Sequence, residues 1–155
     1  MAHPYKKRLV DPILSQLLEA LPAVSLLGPR ASGKTTTALQ HAKTVVRLDR
    51  EREAITFRAD PNAALRGLTT PVLLDEWQEV PGVLGAVKRA VDTETKPGSF
   101  ILTSSVHAAL DVATWPGTGR IVDLDMTSLA MRELVGDADA KPFVDRISDN
   151  ALELP

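Results

Sequence analysis

The chain has 155 residues, of which 44% are hydrophobic and 25% charged, with a net charge of −2 and no cysteine. That is the usage of one globular domain, and it excludes a disordered or collagenous chain. The lack of cysteine removes disulfides, thiol nucleophiles and thiolate metal sites, and the small net charge gives no strong pull toward nucleic acid or anionic lipid. The charge is nevertheless uneven: residues 1–60 hold ten Lys/Arg against six Asp/Glu, and residues 61–155 hold eight against fourteen. A basic N-terminal part suits a phosphate ligand, and a solvated surface accounts for it equally well. The start Met1–Arg8 is basic but has no apolar run of a signal peptide, and no stretch approaches a membrane span. A soluble, cytoplasmic protein is the expectation.

In chain order, Asp11-Pro12 reads as a helix cap followed by proline at the first helical position. Ile13, Leu14, Leu17, Leu18 and Leu21 follow at helical spacing, and Pro22 ends the helix. Ala23–Leu27 is a short apolar run, hence a buried strand. A loop spans Gly28–Thr35, and a helix is expected to continue to about Ala42. Val45–Leu48 is a second strand, and residues 50–58 are charged and helical. Asp60-Pro61 repeats the cap-plus-proline start, and Gly67 suits the end of that short helix. Val72–Leu74 is a third strand, closing on Asp75-Glu76. Val83, Leu84, Val87 and Val91 mark one face of the next helix, and Lys96-Pro97-Gly98 is a turn. Phe100–Leu102 is a fourth strand and Ile121–Leu124 a fifth. Residues 1–136 read as the core, and 137–155 as an acidic tail or incomplete element. Alternating strands and helices imply an α/β fold: a three-layer sandwich with a mostly parallel five-stranded sheet and helices on both faces.

Gly28-Pro29-Arg30-Ala31-Ser32-Gly33-Lys34-Thr35 fits G-x-x-x-x-G-K-[ST] at every fixed position. At average residue usage a chain of this length matches by chance with a probability of roughly half a percent. The motif also sits between a strand and a helix, as its chemistry requires. Gly28 and Gly33 allow backbone angles that a side chain would forbid. Successive N–H groups then face an anion, aided by the helix dipole. Lys34 carries a full charge to the β- and γ-phosphates, and Thr35 offers a hydroxyl to Mg²⁺. Thr36 continues the segment. ATP with Mg²⁺ is the expected ligand pair.

A metal beside phosphates needs a carboxylate at the end of a neighbouring strand, and Val72-Leu73-Leu74-Asp75-Glu76 supplies one. Asp75 is the expected Mg²⁺ partner, through water, and Glu76 the group that polarises the attacking water. Strands often end in charged residues, so the pair gains its force from the loop some 40 residues earlier. Phe100–Leu102 ends in Thr103-Ser104-Ser105 at the same sheet edge, where Thr103 or Ser105 can sense the γ-phosphate or orient the water. Strand-end hydroxyls also serve as plain caps. Arg120 follows Gly117-Thr118-Gly119 and can act as an arginine finger, in cis or from a neighbouring subunit, or be a structural arginine. Trp77 and Trp115 are expected in packing roles. His3, His41 and His107 show no metal spacing.

Taken together, these residues resemble the AAA-type ATPases of the AAA+ superfamily, in the bacterial and archaeal family that usually carries an extra C-terminal domain of uncertain role. The matching pieces are Arg8-Leu9-Val10-Asp11, Gly28-Pro29-Arg30 with Gly33-Lys34-Thr35-Thr36, Leu74-Asp75-Glu76 with Gln78, Val87–Asp92, Phe100–Thr103 and Gly119-Arg120. They span roughly residues 5–135. The resemblance implies ATP binding and hydrolysis, with Lys34 and Thr35 on phosphate and Mg²⁺, Asp75 on the metal and Glu76 on the water. It also implies that the Thr103 strand lies between the strands of the P-loop and of Asp75. The chain departs from the family by having Thr103-Ser104-Ser105 where Thr-Gly-Ser is usual, and by stopping soon after the ATPase core. A nucleotide-binding module with little turnover is therefore the alternative to an ATPase. An interaction protein with a vestigial loop and a small-molecule kinase rank lower. A homo-oligomer follows if Arg120 acts in trans; no membrane partner is expected, and nothing identifies a nucleic-acid or protein client.

Overall fold

The computed structural model describes residues 4–105 and 120–136. Five strands form one sheet: β1 (Ala23–Leu27), β2 (Thr44–Arg47), β3 (Val72–Asp75), β4 (Phe100–Ser104) and β5 (Ile121–Asp125). Their order is β2-β3-β4-β1-β5, and every pairing is parallel. β4 thus lies between the strand that leads into the P-loop and the strand that ends at Asp75. The helices are α1 (Asp11–Ala20), α2 (Lys34–Ala38), α3 (Glu51–Ala59), α4 (Pro61–Leu65), α5 (Gly82–Thr93) and α6 (Met131–Leu134), with one 3-10 turn at Trp77–Glu79.

The strands deliver alternate side chains to two cores. Leu73 and Ile101 join Val24 and Leu26 beneath α1 and α2, where Leu14, Leu18 and Ala38 cover them. Val72, Leu74, Phe100 and Leu102 face the other way, under Phe57, Leu65, Val83, Val87 and Val91 of α3, α4 and α5. Helices therefore cover both faces, and β1, β3 and β4, buried throughout or nearly so, are mainly apolar, with Ser25, Asp75, Thr103 and Ser104 as the polar members. β2 and β5, on the edges, are only partly buried.

Local structure departs from expectation at several points. Asp11 is the first helical residue and not the cap; Val10 holds that place without a side-chain bond. The Asp11 carboxylate instead accepts from the Arg8 N–H at 2.8 Å and from the Tyr5 hydroxyl at 2.7 Å, fastening the N-terminal segment to α1. Ile13 is 49% exposed, because the buried stripe of α1 runs through Leu14 and Leu18. α2 stops at Ala38, since Gln40 and His41 bond three residues back in tight turns. Asp60 does cap α4, accepting from the Asn62 and Ala63 N–H groups. Trp77 is core, 5% exposed. Ser105 ends the first described stretch; Trp115, His3, His107, the segment Gly117–Gly119 and the tail 137–155 lie outside the described residues.

Candidate phosphate and metal site

Because the strands are parallel, the P-loop, Asp75 and Thr103 all leave the sheet at its carboxyl edge, where ligands of open α/β sheets bind. The loop turns through three left-handed residues, Gly28 (φ 153), Ala31 (φ 62) and Gly33 (φ 95). At Gly28 a Cβ would stand 2.0 Å from the Met126 carbonyl oxygen, so the loop can leave β1 beside the end of β5 only as glycine. The Met126 N–H in turn bonds the Leu27 carbonyl at 2.7 Å. Pro29, Arg30 and Ala31 form the exposed tip, and Thr36 is exposed one turn on. Lys34 is buried, its Nζ donating to the Gly28 and Pro29 carbonyls at 2.9 Å each. The ammonium is thus held across the loop mouth. Ser32 is buried, and its hydroxyl has no hydrogen-bond partner among the described residues. An orphaned hydroxyl inside a phosphate cradle suits an anionic acceptor.

Asp75 is 4% exposed at the end of β3. Its Oδ1 accepts from the Thr35 hydroxyl at 2.6 Å and from the Thr103 hydroxyl at 2.7 Å. Its Oδ2 lies 3.8 Å from an Arg47 guanidinium nitrogen. Three strands and the loop therefore converge on one carboxylate. Thr103 is more than a strand-end cap: its oxygen also accepts from the Glu76 N–H at 3.1 Å, which ties the Asp75-Glu76 corner to β4. The hydroxyl is engaged by these carboxylate-bearing residues and not by the loop. Glu76 adopts a left-handed conformation (φ 54, ψ 50), half-buried, with its carboxylate accepting from the Gln78 amide. Such a conformation is sparsely populated for a side-chain-bearing residue, and strain of this kind concentrates at functional sites.

The oxygen donors of Thr35 and Asp75 suit Mg²⁺, a hard cation that takes few protein ligands and keeps water and phosphate oxygens. Among the described residues there is no cluster of three or more His, Cys, Asp or Glu able to cage an ion.

Arg120 is not brought to this site. It precedes Ile121, which pairs with Ala23 at the start of β1, and its guanidinium is paired with Asp92 of α5. Gly28 lies five residues further along β1, about 16 Å at the usual strand rise. That placement sets Arg120 at the opposite end of β1 from the loop. Two residues escaped the sequence reading. Arg47 reaches Asp75 because β2 and β3 pair in register, which no single-strand pattern reveals. Arg8, part of the family resemblance but without an assigned role, is buried against the outer side of the loop.

Fold and site together define a nucleotide-binding α/β domain of the P-loop type. The model of the AAA domain family matches residues 21–135, and the chain belongs to that family of ATPase-like nucleotide-binding domains. It is also 30% identical over 129 residues to an uncharacterised protein of Mycobacterium tuberculosis and to its counterpart in Mycobacterium bovis. The match covers 81% of this chain but 29% of each relative, so the chain spans less than a third of their length. Among the described residues no helix is long and apolar enough to cross a membrane.

Proposed function

We propose that the chain binds ATP with Mg²⁺ at Gly28–Thr36 and hydrolyses it. The observation that carries this reading is the meeting of Thr35, Thr103 and Asp75 at one carboxylate oxygen beside the loop. Loop N–H groups and Lys34 bind the phosphates; on binding, the ammonium exchanges two carbonyl oxygens for anionic ones, a stronger partner. Thr35 would hold Mg²⁺ directly and Asp75 through water, and the ion would neutralise charge on the β- and γ-phosphate oxygens. Glu76 takes a proton as water attacks the γ-phosphorus and the bond to the bridging oxygen breaks.

Phosphate release with Mg-ATP tests this in wild type, Glu76→Gln and Lys34→Ala. Glu76→Gln should retain binding and lose turnover by about a hundredfold or more, the usual worth of a general base. Lys34→Ala should weaken binding itself. Equal rates in all three proteins would sink the proposal.

A second reading, binding with little turnover, is favoured by the Gln78 amide on the Glu76 carboxylate and by Ser104 in place of glycine. Under it, Mg-ATP binds tightly while no phosphate is released at any protein concentration. A vestigial loop would show no thermal shift with Mg-ATP at all.

A further inference from the structure

We infer that Arg8 is a positioning residue for phosphate binding, and that through Glu133 it joins the state of the P-loop to the docking of α6. This rests on the phosphate-binding reading of the loop given above. Arg8 lies before α1, is 6% exposed, and spends its guanidinium on three elements. One terminal nitrogen donates to the Ser32 carbonyl at 2.8 Å, the other to the Thr127 carbonyl at 2.8 Å, and Nε to Glu133 Oε1 at 3.0 Å.

The bond to Ser32 has a geometric consequence. The peptide between Ser32 and Gly33 is planar and trans, so its C=O and N–H point in opposite directions. Holding the carbonyl outward on Arg8 turns the Gly33 N–H inward, toward the concave side of the loop. A rotated peptide would present an oxygen to the anion and repel it. The same guanidinium nitrogen crowds Gly33: a Cβ there would stand 2.9 Å from it. The second glycine of the motif therefore serves the outer side of the loop as well as its φ of 95.

Glu133 anchors the other end. It is 4% exposed and accepts from Leu9 N–H at 2.6 Å and Ala130 N–H at 2.7 Å besides Arg8. The segment before α1, the loop, the exit of β5 and α6 thus share one buried ion pair. Whatever strengthens the inward Gly33 N–H strengthens Arg8 in its place, and with it α6; binding coupling of this kind is reciprocal.

Removing one member strands a buried charge and threatens the fold, whereas replacing both by apolar residues is often tolerated. The test therefore uses Arg8→Met/Glu133→Leu beside Arg8→Met alone. Two measurements are made: amide hydrogen exchange of residues 28–36 and 127–135 without nucleotide, and the same with affinity determination under Mg-ADP. In wild type, Mg-ADP should slow exchange in both segments. A folded double variant should exchange faster over 28–36 without nucleotide and bind Mg-ADP about tenfold more weakly, the worth of one hydrogen bond to a charged group. It should also lose protection of 127–135 on binding. A folded double variant with wild-type exchange over 28–36 overturns the inference. So does one that keeps wild-type affinity. If wild type itself ignores Mg-ADP, the ligand reading fails. The nucleotide-free arm still decides whether Arg8 sets the loop.

Discussion

A single atom, Asp75 Oδ1, accepts two hydroxyl hydrogen bonds, from Thr35 and from Thr103. The two donors differ in what they leave behind when removed. Thr35 belongs to the loop, so under the proposed function its loss should weaken nucleotide binding. Thr103→Val is isosteric and removes the Asp75 bond together with the acceptor of the Glu76 N–H. It should lower kcat about tenfold, the value of one charge-assisted bond, while the KM for Mg-ATP changes little. Steady-state phosphate release decides this, and a change confined to KM would contradict it. Glycine substitutions offer a stability contrast. At Gly28 an added Cβ meets backbone at 2.0 Å, while at Gly67 (φ 79) it meets nothing within 4 Å. Gly67→Ala should cost about 1 kcal/mol, for left-handed backbone alone. Gly28→Ala should cost about 3 kcal/mol or more from the added overlap. Urea denaturation of the two variants measures the difference.

Elements were legible in the sequence where one periodicity ruled them. The stripe Val83-Val87-Val91 of α5 and the runs Ala23–Leu27, Val72–Leu74 and Phe100–Leu102 are buried as their patterns require. Asp60-Pro61 opened a helix as expected. Asp11-Pro12 looked the same and behaved differently, because Tyr5 and the Arg8 N–H compete for the Asp11 carboxylate. Those partners come from a segment with no regular structure, which local patterns do not describe. The same holds for Glu133, which the sequence presents as one more acidic residue in an acidic region. Its burial pushes the carboxyl upward, but bonds from Leu9 N–H, Ala130 N–H and Arg8 outweigh that, and it ends below the ordinary 4.5. A depressed carboxyl stabilises the fold fully above its unfolded value, and that share is lost as pH falls through the folded value. Stability should therefore drop with acidification below about pH 4.5 more steeply in wild type than in Glu133→Gln. Denaturation midpoints across that range would show it; identical slopes would remove Glu133 from the account. Tyr5, raised to about 12 mainly by burial, stays neutral throughout, so its hydroxyl keeps a proton to donate to Asp11 across that window.

Over the whole molecule, the sheet order separates what the strands' two ends do. The carboxyl edge collects the P-loop, Asp75, Glu76 and Thr103. The amino edge carries Arg120 with Asp92. Arg120→Ala is accordingly expected to leave Mg-ATP affinity at its wild-type value in dilute protein, by equilibrium titration. Weakened binding there would contradict the placement. An effect restricted to turnover and growing with protein concentration is the signature of Arg120 reaching the loop of a second copy. The order of strands itself was legible only through the family resemblance. Periodicity identifies a strand, but which strand it lies beside depends on contacts between residues some 75 positions apart.

That separation also dictates when the site comes into being. β1 has two sheet neighbours, β4 and β5, which pair with Ala23 through Phe100 and Ile121. As the chain leaves the ribosome, the complete P-loop motif is therefore made long before its strand has anything to pair with. Closing so long a loop costs entropy that only the finished pairing returns, and such contacts form slowly. β2 and β3 are nearer in sequence and close a shorter loop when they pair. β4 lies between that pair and β1, and it carries Thr103 to Asp75. β4 is synthesised before β5, so Asp75 and its partners are all made while one flank of β1 still lacks its strand, and a chain released before residue 100 carries every residue of the loop motif without a sheet neighbour for β1.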